Sequence, residues 1–234
     1  VPEYCRLSAR IDPKLNFEVR LPSDWNGKLH YGGGGGFNGS IPAANANALS
    51  KGFAQVSSDS GHQADGRDGS WALDDQEALT NFAYLSIPTV TAATREIVRE
   101  RYGSEPSRTY FEGCSNGGRE ALMNAQRFPE VFDGIIARAP AYRFTGLLLG
   151  FNRTAKALAA PGGAFTEGKV ATLASAVLAA CDGLDGVEDG IVSNLQACTF
   201  DASSLRCPNG GDAGDQCLSD AQLAVVDSWT SDMA

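Results

Sequence analysis

Between residues 16 and 140 the apolar positions follow two rhythms that take turns along the chain. Short stretches alternate, or run solidly apolar, with β-branched and aromatic residues: "NFEVRL" (16–21), "GKLHY" (27–31), "FAQVSSD" (53–59), "SRTYFEG" (107–113) and "FDGIIARAP" (132–140). A period of two, or a buried run of this length, predicts strands. Longer segments between them have helical spacing. One covers about Asp75 to Arg101, with Pro88 inside it as a break or kink, because proline lacks the N–H and crowds the preceding turn. Another opens at Asn116 and runs to Arg127, stopping ahead of Pro129. Strands alternating with helices predict an α/β fold with a mostly parallel sheet.

From about Thr145 the rhythm changes. "TEGKVATLASAVLAAC" (166–181) predicts a helix with Ala and Leu on one face, and a stretch rich in Cys, Gly and Asp follows it with little strand signal. The expected organisation is therefore one α/β unit over residues 1–144, then an inserted cap or the start of a second domain over 145–234.

Composition narrows the function classes. Apolar residues make up 43% of the 234 and charged residues 20%, which predicts a packed globule. Acidic residues outnumber basic ones by 28 to 19, a formal charge of −9, which argues against nucleic acid as a partner. No apolar run approaches the ~18 residues a bilayer span needs, so no membrane partner is expected. The chain has no initiator Met, basic n-region or apolar h-region, and so reads as a processed or truncated product. Six cysteines without a C-x-x-C pair, alongside only two histidines, lack zinc spacing and point to disulfides in an oxidising compartment.

The candidate chemistry centres on "YFEGCSNGGREA" (110–121), where Gly113, Ser115 and Gly117 spell G-x-S-x-G between a strand and a helix. In that context the serine occupies a sharp turn that lifts its hydroxyl above the sheet edge, and the glycines permit the close approach of strand and helix. A tight turn with a capping serine is the plainer alternative. An acyl-transfer site also needs an oxyanion hole. The Asn116 amide would give one donor, and the loop "GGGGGFNG" after the second strand would give another, from Gly35 or Gly36. A phosphate-binding reading of that loop lacks both the Lys of a P-loop and a helix opening on the glycines. The third part, a general base, is missing in the expected order: His30 and His62 both precede Ser115 and no histidine follows it. His30 reads as a packed strand residue, and His62 is the one in-chain candidate base.

The stretches "GKLHYGGGGGFNG", "GFAQVSSDSGHQ", "SRTYFEGCSNGGREALMNAQRFPEVFDGIIARAPA" and "CDGLDGVEDGIVSN" together resemble the N-terminal part of the tannase and feruloyl esterase family, the group that also includes the mono(hydroxyethyl) terephthalate hydrolase. The resemblance implies an α/β-hydrolase fold with an inserted lid. It implies a serine carboxylic-ester hydrolase for esters of aromatic acids, such as hydroxycinnamic or gallic acid, working through an acyl-enzyme on Ser115. It also implies a secreted or periplasmic location.

The cysteine before the serine would, by the same resemblance, bond to a cysteine beside the catalytic histidine. Cys114 would then have its partner outside this chain, on a disulfide-linked second chain or further polypeptide beyond residue 234 that carries the Asp and His, and Cys5 would pair with a cysteine upstream of Val1. Cys5 pairing with Cys114 is the alternative. In "CDGLDGVEDGI" (181–191) the resemblance implies a structural Ca²⁺ held by the side chains of Asp182, Asp185 and Asp189 and the carbonyls of Val187 and Ile191. Hard oxygens among glycines suit calcium, though the spacing is not that of an EF-hand, and an exposed Asp-Gly turn is the plainer reading. Cys181 with Cys198, and Cys207 with Cys217, are the implied lid disulfides. The competing reading of the whole chain is a polypeptide that is catalytically incomplete without a second one. Two sequons, at Asn38 and Asn152, complete the motifs.

Overall fold

The computed structural model describes residues 2–231. Its sheet begins with a hairpin the sequence pattern does not predict. β1 (Tyr4–Ile11) pairs antiparallel with β2 (Leu15–Pro22), from Tyr4 opposite Pro22 to Ile11 opposite Leu15. The strand "YCRLSARI" has few apolar residues because it lies at the sheet edge and is nowhere fully buried. Its hairpin ladder, not burial, defines it.

The remaining strands are β3 (Lys28–Gly32), β4 (Ala54–Ser58), β5 (Arg108–Cys114) and β6 (Gly134–Arg138), giving the order β1-β2-β4-β3-β5-β6. The β4-β3-β5-β6 part is parallel, whereas β2 meets β4 antiparallel, so the sheet is mixed. Alternate residues Leu29 and Tyr31 of β3, Phe111 of β5 and Val56 of β4 point into one core. Against them lie Ile87, Val90 and Val98 of α3 (Ser86–Tyr102) and Ala121 of α4 (Asn116–Arg127). Tyr31 stacks on Phe111 at 5.5 Å between ring centres, and its buried hydroxyl meets Ser58 Oγ at 2.8 Å. The polar tip of a core aromatic is thereby satisfied.

The helical stretch around Pro88 is not broken as expected. The short helix α2 (Gln76–Thr80) passes through a π-helical turn (Asn81–Leu85) directly into α3. Pro88 falls in the first turn of α3, just after the widened π turn, where a missing N–H is tolerated. Another short helix, α1 (Ala46–Ser50), precedes β4.

The chain divides into two units, Val1–Phe144 and Thr145–Ala234. The second is helical. One helix covers Phe144–Ala159, and the predicted 166–181 helix is Glu167–Cys181, capped by Thr166. A third, Asp220–Thr230, opens on a capping box of Ser219 and Gln222. The first and third have no counterpart in the expectations above. Cys181 bonds to Cys198 and Cys207 to Cys217, with Cα–Cα separations of 5.2 and 4.9 Å. Buried Lys169 donates to the carbonyls of Gly214 and Cys217, each at 2.9 Å, which ties that helix to the second loop.

Candidate active site

β5 ends at Cys114, α4 begins at Asn116, and the single residue between them is Ser115. Its backbone stands at φ 59°, ψ −118°, a conformation that costs a non-glycine residue of order 1–3 kcal/mol and marks sites where surrounding structure over-determines the turn. The turn is held from both sides: Ser115 N donates to Arg138 O at 3.1 Å, and Ser115 O accepts from Ala141 N at 3.1 Å. The serine side chain is exposed, and among the described residues nothing hydrogen-bonds its hydroxyl.

The glycine loop is packed against this turn. A Cβ on Gly117 would lie 2.7 Å from Gly34 O, and one on Gly34 would lie 2.0 Å from Asn38 Oδ1. Real Cβ atoms do not come so close to backbone or buried polar atoms, so close packing explains Gly34 and Gly117 without any phosphate. Around the loop, Gly33 N donates to Glu112 O at 2.9 Å, Gly34 N to Glu120 Oε2 at 3.0 Å, Phe37 N to Gly66 O at 2.6 Å and Asn38 N to Gly35 O at 2.9 Å. The amides left over are those of Gly35 and Gly36, which sit at exposed positions and donate to nothing among the described residues. Asn116 N, at the start of α4, is likewise unpaired, as the first amides of any helix are. A turn presenting an exposed hydroxyl beside unpaired backbone donors is suited to holding an anionic oxygen.

Neither histidine reaches Ser115. His30 lies in β3, buried, with Nε2 donating to Glu112 Oε2 at 3.2 Å, and Glu112 also pairs with Arg138. Burial, then the Arg138 charge, holds its imidazole below the ordinary histidine range. His62 Nε2 donates to Phe37 O at 2.8 Å, and its ring stacks on Trp71 at 3.6 Å between centres. Burial again pushes its pKa down, opposed by the Phe37 bond. His62 is thus committed to holding the glycine loop, and the expectation of it as a base is corrected by that bond. A cleft of about 200 Å³ beside the turn is lined by Gly32, Gly33, Glu112, Gly113, Cys114 and Arg138.

The remaining expectations fall elsewhere. Cys5 and Cys114 are both free thiols. Cys5 is on β1 and Cys114 on β5, with four strand spacings between them. At ~4.8 Å per spacing that is roughly 19 Å, far beyond disulfide reach, so the Cys5–Cys114 alternative is excluded. Asn38 is 3% exposed, its amide nitrogen bonded to Ser60 Oγ and Glu120 Oε1, so its sequon is sealed inside the fold, whereas Asn152 is exposed.

In the acidic loop, Asp182 Oδ1 accepts from Gly190 N and Ile191 N, each at 3.1 Å. Asp189 Oδ1 accepts from Ile191 N at 3.0 Å, and Asp185 Oδ1 from Val187 N at 2.9 Å. The Val187 amide holds the Asp185 carboxyl below the usual range. The carboxylates turn onto their own loop's amides, and among the described residues no group of three or more His, Cys, Asp or Glu side chains converges to hold an ion.

Comparison with known proteins agrees with the α/β fold. The tannase and feruloyl esterase family matches residues 1–231. The chain belongs to that family. It is 38% identical over 244 residues to an uncharacterized esterase of Agrobacterium fabrum, covering 94% of this chain and 44% of the relative. It is 34% identical over 270 residues to the mono(2-hydroxyethyl) terephthalate hydrolase of Piscinibacter sakaiensis, covering 97% and 45%. Feruloyl esterase B from Aspergillus oryzae superposes with a TM-score of 0.82 at 29% identity, covering 96% of this chain and 46% of that one. The fold is that of an α/β hydrolase. The chain spans just under half the length of the relatives it matches.

Sequence reasoning missed Glu120 and Asn38 as parts of this site. Asn38 entered only as a sequon, and Glu120 only as a helix residue. A carboxylate in the first turns of a helix that opens on glycines was the available signal.

Proposed function

We propose that this chain carries the nucleophile of a serine carboxylic-ester hydrolase that acts on esters of aromatic acids. The observation that carries the reading is Ser115 held in a strained strand-to-helix turn, hydroxyl exposed, beside the unpaired amides of Asn116 and of Gly35 and Gly36. Ser115 Oγ attacks the ester carbonyl and its proton passes to a histidine base. Those amides hold the oxyanion, the alcohol leaves with the proton, and water then cleaves the acyl-enzyme. The aromatic acyl preference rests on family membership and on the names of the relatives.

The base and its aspartate come from polypeptide outside these 234 residues. The seats of His30 and His62 favour that reading over an in-chain triad. Exposed Cys114 beside the serine is then the thiol that ties such polypeptide, or a separate second chain, to the turn. The two disulfides support an oxidising compartment, secreted or periplasmic. Residues 145–234 serve as the first part of a lid. Its acidic loop takes a structural Ca²⁺ through Asp182, Asp185 and Asp189 with the carbonyls of Val187 and Ile191. The hard oxygen donors suit that ion, and none of the three carboxylates has a cationic partner among the described residues.

Ser115→Ala is expected to abolish hydrolysis of aromatic esters in the preparation that is active, a fall of about 10³-fold or more. Unchanged turnover in that variant overturns the nucleophile assignment.

A further inference from the structure

A buried carboxylate lies directly beneath the serine turn with no part in the chemistry described above. Glu120, one helical turn beyond Asn116 in α4, is 4% exposed. It receives hydrogen bonds from two directions. From the glycine loop, Gly34 N donates to Oε2 at 3.0 Å and Asn38 Nδ2 to Oε1 at 2.6 Å. From the serine turn, Asn116 Nδ2 donates to Oε1 at 3.2 Å.

Asn38 closes the ring, since its Oδ1 accepts from Asn116 Nδ2 at 3.0 Å. Asn38 is itself held at φ 60°, and its amide donates to Gly35 O. On the far side, Asn116 Oδ1 accepts from Arg119 Nε at 2.7 Å. Arg119 in turn donates to Phe82 O and Ala83 O of the π turn, at 2.8 and 3.0 Å. Every bond to Glu120 is an N–H received, so both its oxygens act only as acceptors. Burial raises its pKa, while Asn38, Gly34, Arg119 and Asn116 pull it back.

We propose that Glu120 is a positioning residue that sets the spacing between the two halves of the oxyanion hole, joining Gly34 and Asn38 on the loop to Asn116 on the turn. The proposal rests on the esterase reading for its catalytic consequence. The loop has no side chains at positions 32–36 with which to fix itself. The amides of Gly35 and Asn116 belong to segments about 80 residues apart in sequence, and oxyanion donors act only when preorganised. Among the described residues Glu120 accepts from Gly34 and Asn38 on the loop and from Asn116 on the turn, and it is buried between them beside the direct Asn38–Asn116 bond. Replacing one oxygen by an NH₂ group sets a donor against a donor, on the Gly34 side or on the Asn38 and Asn116 side, at nearly constant volume.

The test compares Glu120→Gln with wild type by amide hydrogen exchange and, in the preparation that hydrolyses esters, by steady-state kinetics. The expected result is exchange about tenfold faster at the hydrogen-bonded loop amides of Gly33, Gly34, Phe37 and Asn38, with the amides of β3 and β5 unchanged. In the kinetics, kcat falls about 10- to 100-fold with KM within about twofold, part of the effect of losing an oxyanion donor outright. Asn38→Asp combined with Glu120→Gln restores an acceptor opposite the new donor and is expected to recover most of the lost kcat, a rescue that a general loss of stability would not show.

Unchanged exchange at those four amides overturns the proposal, as does faster exchange with kcat intact or a uniform rise across the sheet. Ser115→Ala in the same assay separates the two inferences. If it retains hydrolysis the nucleophile reading falls, and the exchange data alone then decide Glu120's role.

Discussion

His62 is the residue whose seat most changes its meaning. It is 4% exposed, stacked on Trp71, and spends its Nε2–H on the Phe37 carbonyl. Because burial lowers its pKa, the folded protein binds fewer protons than the unfolded chain once the pH falls below the ordinary value of 6.5. The stabilising contribution is therefore full above that value and declines as the pH drops towards the depressed folded-state pKa. Thermal melts between pH 7.5 and 5.5 should show the midpoint falling more steeply in wild type than in His62→Gln. Equal slopes would mean that His62 titrates alike in the two states. The comparison with the variant is needed because His30 is shifted the same way and Glu120 the opposite way. At this scale Ser115 was legible from five letters, G-x-S-x-G with flanking strand and helix, because a local steric demand produces it. Glu120 was not, since nothing local distinguishes a buried carboxylate from an exposed one on a helix.

Among the elements, those with strong local signals were readable. The 116–127 helix and the 166–181 helix have the expected extents, the latter with a threonine cap. The Asp220–Thr230 helix also had a readable start, S-x-x-Q, which the capping box of Ser219 and Gln222 uses. β1 had none, because an edge strand half in solvent needs no apolar alternation. The acidic loop after the 167–181 helix is the element on which the calcium proposal can fail. Its ends are joined by Cys181–Cys198 across 17 residues, and its carboxylates are exposed or half-buried. Saturation with Ca²⁺ at about 100 times Kd would stabilise by ~2.7 kcal/mol. Chelation is then expected to lower the melting midpoint by roughly 5–10 °C for a chain of this size. A melting curve indifferent to chelator and to added Ca²⁺, with no metal found by elemental analysis, would remove the ion from the proposal.

For the whole molecule, no helix among the described residues is long and apolar enough to cross a membrane. The sheet keeps its two free thiols on strands β1 and β5, too far apart to meet. If Cys114 ties the serine turn to histidine-bearing polypeptide, natural material analysed without reduction should have a mass above that of the 234 residues, and reduction should either release a second polypeptide or expose the thiol. Cys114 and Cys5 both alkylating at once in native, unreduced material would count against the tie.

The outcome separates along the range of the forces involved. Alternation, glycine placement and helix caps act over a few residues, so the order of most strands and helices and the serine turn could be read from letters alone. The join between Asn38 and Glu120 spans 82 residues, the seat of His62 on Phe37 spans 25, and the separation of Cys5 from Cys114 depends on strand order. Those are matters of register and packing between distant segments, where many pairings satisfy the same local pattern and the folded arrangement selects one.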